Sequence, residues 1–474
     1  MAIHELVVIG SGPGGYVAAL RAAQLGVKVT LIEREKTGGV CLHSGCIPSK
    51  ALIQGAQVFH TVKRAAEFGV KLPGSAVIDY ATLAARKDKV VQSLENGLEF
   101  TLRKRGVNIV KGEASFTSAR TLNLRQASGS NESMEFLHAI VATGGVPFEP
   151  PNLPMDGTTY ITSNEVLRWT ALPTSIAIIG AGVIGCEFAS LYARLGVPVT
   201  VIEMLPGALP GFDADVGREV AKGLKKQGVD FFFETKVEEA AYGPVGAALT
   251  LSNGDTLSAQ VCVVAVGRKP NTAGLHPDLA GLKIGTHGEI PVDNRCRTTV
   301  PSLYAIGDVT GVAPLAHTAS HMGLVAAEQI AMELKKSNLG ELHGPPGPLF
   351  DARNSPMAVF TMPEVAALGL TEEKARATGH DIKVGKFPLR ALGKALAVGE
   401  VDGFVKVIGD AKTGTLLGFH AVGPTATDML GEASLAWVSE AKLETLAKAI
   451  HAHPTFPEAV GEAALLALGR PLHG

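Results

Sequence analysis

A chain of 474 residues exceeds what one hydrophobic core ordinarily organises, so two to four domains are expected. Its 43 basic and 45 acidic residues leave a formal charge of −2, which offers no electrostatic footprint for nucleic acid or an anionic membrane surface and favours small-molecule chemistry. No apolar run reaches the roughly 18 residues of a spanning helix, and MAIHELVVIG enters a strand pattern at once, so neither a membrane span nor a targeting segment is expected and the location expected is cytoplasmic.

The first element group is LVVIGSGPGGYVAALRAAQLGVKVTLIE, ending at Glu33: an apolar strand, a glycine turn, a helix with small residues on its packing face, and a second β-branched strand. In that context G-x-G-x-x-G has a mechanism. Gly10 allows the tight turn, Gly12 lets a pyrophosphate approach the backbone, and Gly15 lets helix and strand pack closely. Helix N–H groups then hold the phosphates, and Glu33 can accept hydrogen bonds from a ribose diol.

Next comes GGVCLHSGCIPSK, which spends Cys41 and Cys46, two of only five cysteines, within one short segment. On an undistorted helix, residues five apart have Cα atoms more than roughly 8 Å from each other, beyond the limit of about 7 Å for a disulfide. The pair can bond only if the backbone bends, and Ser44 and Gly45 are the places for that bend, with Pro48 in the first turn of a following helix. A helix N-terminus would favour thiolate, so the segment reads as a reactive disulfide. Metal binding, with His43 between the cysteines, and two separately buried thiols are the alternatives. Cys186, Cys262 and Cys296 stand singly in apolar or strand-like settings and read as core.

HAIVATGG, from His138 to Gly145, is a buried strand ending in a glycine turn. The opening unit then recurs as IAIIGAGVIGCEFASLYARLGVPVTVIE, ending at Glu203, with Gly180, Gly182 and Gly185 matching Gly10, Gly12 and Gly15. Two copies mean two dinucleotide sites. After Glu203 come Met204, Leu205 and Pro206, with no Arg or Lys before Arg218, so nothing nearby would greet a 2′-phosphate. VCVVAVGRKPN closes the second unit, LYAIGDVTG places Asp308 after another strand-to-glycine turn, and a linker is expected around Asn338 to Pro348. Beyond it the pattern suggests an α+β domain of antiparallel strands and helices that carries HAHPTFPEAVGEA.

The two nucleotide units, the C-x4-C segment right after the first acid, ATGG, YAIGD and HPTFPE together resemble the flavin-dependent pyridine nucleotide-disulfide oxidoreductases over nearly the full length. CIPSK, the acid ending the second unit and HAHPTFPEAVGEA are most similar to the members that oxidise dihydrolipoamide as the E3 component of 2-oxoacid dehydrogenase complexes. The resemblance implies an α/β fold of two Rossmann-like dinucleotide-binding domains plus a C-terminal α+β dimerisation domain. Its segments would be FAD-binding over 1–147, NAD-binding over 148–270, a second FAD/central part over 271–346 and the interface domain over 347–474.

By the same resemblance, Gly10, Gly12, Gly15, Glu33, Lys50 and Asp308 hold FAD, with Ala114, Thr143, Gly144 and Ala316 as further contacts. Gly180, Gly182, Gly185, Glu203 and Gly267 hold NAD, with Glu187 and Val237 beside them, and Lys50 and Glu187 would pair next to the flavin ring. Cys41 exchanges with substrate and Cys46 faces the flavin. His453 is the base, oriented by Glu458 and delivered across a homodimer interface. The implied partners are a lipoylated E2 acyltransferase or the glycine cleavage H protein, with no metal, nucleic acid or membrane. His43 and Ser44 depart from the Asn and Val common in the family, and Met322 stands where Glu is frequent. An NADPH-dependent disulfide reductase and a flavoprotein assembly subunit are the rival readings.

Overall fold

The computed structural model describes residues 3–126, 128–336 and 349–473; the expected linker lies outside the described residues. The chain divides into two compact units. One comprises Met1–Leu52, Ala81–Phe148 and Gly267–Ala352; the other comprises Ile53–Tyr80, Glu149–Val266 and Arg353–Gly474.

In the first unit, Leu6, Val7 and Val8 are wholly buried, as a continuous apolar run in a central parallel strand should be. Their strand, His4–Ile9, lies between Val29–Glu33 and Asn131–Val141 and runs parallel to both, with Asn108–Lys111 beyond Val29–Glu33. Asn131–Val141 changes partner along its length: Phe136–Val141 lies opposite His4–Ile9 in parallel, while Asn131–Glu135 pairs antiparallel with Thr121–Arg125. Leu303–Ala305 adds in parallel on its other side. The crevice at the carboxyl ends of such strands is where a doubly wound sheet takes its ligand, and the first glycine turn leaves His4–Ile9 there.

The helix Pro13–Gln24 lies so close to Ala316–Glu333 that a Cβ on Gly323 would fall 2.5 Å from the carbonyl oxygen of Gly14. Met322 is fully buried in the core that includes this packing. The chain leaves the unit through Gly145–Pro147 and returns through Arg268–Pro270, and these two short strands pair antiparallel.

The second unit repeats the parallel sheet in the order Val229–Phe232, Val199–Ile202, Ile176–Ile179, Val261–Val264, Tyr160–Thr162. A three-stranded antiparallel sheet, Val237–Gly243, Gly246–Leu251 and Thr256–Ala259, is inserted in the chain between Val229–Phe232 and Val261–Val264. The C-terminal part is a five-stranded antiparallel sheet in the order Met357–Val359, Glu364–Gly369, Leu416–Gly423, Phe404–Asp410, Ile382–Pro388. Helix Glu458–Ala467 beds against it at Gly385, where a Cβ would sit 1.9 Å from the carbonyl oxygen of Ala463. Lys406, 2% exposed, rises from this sheet to meet Asp213 at 3.0 Å, Asp215 at 3.0 Å and Glu372 at 2.8 Å. Among the described residues no helix is long and apolar enough to cross a membrane.

Candidate active site

The two glycine turns have the same stereochemistry. A Cβ on Gly10 would lie 2.4 Å from the Ala142 carbonyl oxygen, and one on Gly180 would lie 2.6 Å from that of Ala265. The third glycines are as tightly held, since Cβ atoms on Gly15 and Gly185 would lie 1.9 and 2.0 Å from the carbonyl oxygens of Gly10 and Gly180. The middle glycines differ: Gly12 and Gly182 have nothing within 4 Å of a built Cβ, so each borders open space. Helices Pro13–Gln24 and Val183–Arg194 begin directly after them, and neither has a side-chain cap. First-turn N–H groups therefore lack an intrahelical partner beside open space, which is the arrangement a pyrophosphate requires.

Glu33 and Glu203 are buried at the ends of their strands. Glu33 Oε2 accepts from the Ser11 N–H at 2.9 Å and the Ser11 hydroxyl at 2.6 Å, and Oε1 accepts from the Glu35 N–H at 2.8 Å. Glu203 repeats this with the Ala181 N–H at 2.7 Å and the Leu205 N–H at 2.9 Å. A carboxylate offers about four lone-pair sites, so each is oriented by its own loop with acceptor capacity left for a ribose.

Ser11 is the difference between the copies, and nothing in the sequence motif singles it out. Its hydroxyl also accepts from the Gly38 N–H at 3.1 Å, which ties the first turn to the start of the cysteine segment. Gly39, at φ +63°, comes so close that a Cβ there would be 2.7 Å from the Gly12 Cα. The cysteine segment thus rests directly on the first phosphate turn.

That segment forms a short helix, Gly39–His43, then breaks at Ser44 and Gly45 before the long helix Cys46–Lys63. Gly45 folds back against the short helix, where a Cβ would be 3.0 Å from the Val40 carbonyl oxygen. Cys41 and Cys46 are thiols here, and the hydrogen bond to Cys46, reinforced by burial, pushes the Cys41 thiol well up, while the Lys50 charge one turn along pulls it down. Burial alone moves Cys262 up to about 12, and it dominates the similar rise of Cys186 and Cys296 to about 12, which leaves those three unreactive.

The other expected FAD contacts surround the first turn's sheet. Thr143 donates through its hydroxyl to the Asn271 carbonyl at 2.7 Å, and the Asn271 N–H donates to the Gly144 carbonyl at 2.9 Å. Asp308 sits in the one-turn helix Gly307–Thr310, its carboxyl raised by burial and opposed by Arg268, whose Nε is 3.8 Å away. Arg268 also donates to the Gly145 carbonyl. No motif or spacing inside VGRKPN announces this arginine. Ala114 is buried in the core, and Ala316 opens its helix.

Among the expected NAD contacts, Gly267 is the first residue of the first unit's returning segment, and Val237 opens its strand in the second unit. Glu187 is buried in the second unit and accepts from the Phe360 N–H at 2.9 Å, whereas Lys50 belongs to the first.

His453 and Glu458 lie in the second unit. The His453 side chain is 75% exposed, and its Nδ1 meets Glu458 Oε1 at 2.9 Å. A carboxylate only accepts, so Nδ1 carries the proton and Nε2 is left as the basic nitrogen. Glu458 Oε2 accepts from the Thr455 N–H at 2.8 Å. Partial burial works against ionisation, but Thr455 and His453 hold the Glu458 carboxyl below its usual range. A second pair, His451 Nε2 to Glu432 at 2.9 Å, raises the His451 pKa through that hydrogen bond; the sequence carries no spacing that announces it.

Residues 4–323 match the pyridine nucleotide-disulphide oxidoreductase family, and residues 355–464 match its dimerisation domain. The chain belongs to this family. The oxidoreductase is 40% identical to the dihydrolipoyl dehydrogenase of Bacillus subtilis (strain 168) over 99% of each chain. It is 41% identical to that of Halobacterium salinarum over 99% of this chain and 97% of the other. Its structure is similar to LpdA from Mycobacterium tuberculosis, with a TM-score of 0.88 at 28% identity over 98% of this chain and 99% of that one. It is also similar to the HOCl-induced flavoprotein disulfide reductase RclA from Escherichia coli, at 0.84 and 29% over 98% and 100%. As a member of this family the oxidoreductase uses FAD and NAD, and the two open glycine cradles fit two such nucleotides. Among the described residues no group of three or more His, Cys, Asp or Glu is placed to hold a metal.

Proposed function

We propose that the chain is a dihydrolipoyl dehydrogenase that oxidises protein-bound dihydrolipoamide with NAD+. The observation that carries this reading is the contact between the Cys41 and Cys46 thiols at a helix break seated on the first phosphate turn. The names of relatives about 40% identical over almost the whole chain agree with it.

In the oxidised enzyme Cys41 and Cys46 form a disulfide. Nε2 of His453 takes the proton from one dihydrolipoyl thiol, and the resulting thiolate attacks Cys41 Sγ. The Cys41–Cys46 bond breaks, and Cys46 leaves as a thiolate. The second substrate thiol, deprotonated in turn, attacks the substrate sulfur of the mixed disulfide, which closes lipoamide and returns Cys41 as a thiol. Glu458 keeps the imidazole in the tautomer this needs. When bound, FAD supplies the acceptor for the two electrons left on the cysteine pair, with NAD+ as the final acceptor.

The remaining assignments belong to the same proposal. Gly10, Gly12, Gly15, Glu33, Lys50 and Asp308 hold FAD, and Gly180, Gly182, Gly185 and Glu203 hold NAD. His453 acts on the cysteines of the other subunit in a homodimer. Leu435 (68% exposed), Val438 (62%) and Ile450 (100%) leave apolar surface in the dimerisation domain that a second copy would cover. A cytoplasmic enzyme serving a lipoylated E2 or H protein completes the reading.

Cys46→Ser should reduce lipoamide-dependent NAD+ reduction to background, because Cys41 then has no leaving partner. Retention of yellow flavin in the purified variant checks that it folds. Full turnover in that variant overturns the scheme.

A further inference from the structure

His43 stands between the two cysteines and takes no part in the exchange just described. It ends the helix Gly39–His43, and its ring reaches back across the whole helix to the residue before Gly38, where Nε2 donates to the Thr37 carbonyl at 2.9 Å. A carbonyl only accepts, so Nε2 carries a proton. The ring is 13% exposed and flanked by Glu95, whose Oε1 is 3.8 Å from Nε2. Thr37 is a buried anchor: it is wholly inaccessible, its hydroxyl donates to Glu99 at 2.7 Å, and the same oxygen accepts from Lys111 at 3.2 Å. The adjoining Gly38 N–H is bound to the Ser11 carbonyl at 3.1 Å. The helix that carries Cys41 is therefore pinned at its start by the first phosphate turn and at its end by one imidazole.

We propose that the His43–Thr37 hydrogen bond is a positioning device for the Cys41–Cys46 couple, holding Cys41 where it re-forms the disulfide and biasing the couple toward the oxidised form. The inference rests on reading these cysteines as the redox pair. The reasoning is one of chain freedom. In the disulfide state the loop from Cys41 to Cys46 is already closed covalently, so releasing the helix end adds little freedom. In the dithiol state only non-covalent contacts hold the two residues together, so the same release adds more. Loss of the hydrogen bond therefore stabilises the dithiol and makes the disulfide easier to reduce. Ser44 and Gly45, at the break, are left to absorb the approach of the sulfurs. His43 positions a reacting group and exchanges no electrons itself.

The test is a thiol–disulfide titration of the flavin-loaded protein in dithiothreitol buffers of stepped reduced-to-oxidised ratio. Each dithiothreitol that closes to its cyclic disulfide gives two electrons and two protons to the cysteine pair. Acid quenching, alkylation and mass spectrometry of the peptides count the thiols at Cys41 and Cys46 directly. His43→Phe keeps the ring and removes the N–H; His43→Gln removes the ring and places an amide N–H at about the reach of Nε2.

A net hydrogen bond of ordinary strength corresponds to about a fivefold change in equilibrium constant. His43→Phe should be half-reduced at about fivefold lower reduced-to-oxidised ratio than wild type, a midpoint about 20 mV more positive for a two-electron couple. His43→Gln should stay within about twofold of wild type. A His43→Phe midpoint equal to wild type, or a His43→Gln shift as large as that of His43→Phe, overturns the positioning role. A wild-type pair that never oxidises across the series overturns the redox reading and the inference with it. Dihydrolipoamide turnover does not enter the measurement, so an error in the substrate alone would leave the expected shift in place.

Discussion

At the scale of single residues, Glu458 has two donors to satisfy, the His453 Nδ1–H and the Thr455 N–H, one on each oxygen. A glutamine has one acceptor oxygen and one donor NH2, so in Glu458→Gln one of those donors meets another donor. The imidazole then loses its fixed tautomer. The expected outcome is a fall in kcat of about 100-fold with KM nearly unchanged, the size of a lost general-base contribution, read by steady-state lipoamide kinetics. The Glu458 carboxyl is depressed in the folded protein, so its favourable interaction is present above the unfolded value of about 4.3 and disappears only as pH falls through the lower folded value. The pair His453 and Glu458 was visible in H-P-T-x-x-E, and so were the glycines and the close cysteines. Ser11, Thr37 and Arg268 were not, because a hydroxyl or guanidinium acquires its role from a partner distant in the chain.

At the scale of elements, Lys406 is the clearest case of a contact without a sequence signature. It joins the N-cap of helix Ala214–Lys226, which is Asp213, to the C-terminal sheet and to Glu372 at the start of Glu372–Ala377. Burial opposes ionisation of Asp213 and Asp215, but their hydrogen bonds, to Lys406 above all for Asp215, outweigh it and hold both below the usual range. Burial likewise opposes the charge on Lys406, yet its three carboxylates raise its pKa. The stability contributed by the aspartates is present above about pH 4 and lost as pH falls through their lowered values; that from Lys406 is present below about pH 10 and lost as pH rises through its raised value. Lys406→Met leaves the buried carboxylates without their cation and should cost about 3–5 kcal/mol in this unit, seen as an earlier first transition in urea. It should also flatten the dependence of that transition on acid. An unshifted transition would mean the cluster is not holding the elements together. The repeated strand–turn–helix units were readable because periodicity and glycine spacing are local; the Lys406 joint is a meeting of segments about two hundred residues apart, and neither one shows it alone.

At the scale of the whole molecule, the two nucleotide sites are one unit used twice with different surroundings. The second ends in Glu203, held by Ala181 and Leu205, with an exposed Met204 and no cation beside it in the chain. A 2′-phosphate placed there would meet a carboxylate, so NADPH should support the reverse reaction at least about 100-fold less efficiently than NADH, measured as kcat/KM. Comparable values would show that the nucleotide approaches another face. By itself the sequence determined the number of nucleotide units, their glycine stereochemistry, the closeness of the two cysteines and the family, since each is written in spacing over fewer than about thirty residues. Only the tertiary structure decided that Gly39 lies on Gly12, that Ser11 ties that turn to the cysteine helix, that His43 closes on Thr37, and that Lys406 gathers three carboxylates. Those contacts depend on which strands the fold makes neighbours and on backbones approaching where a side chain is missing, and a linear order of residues does not specify distance.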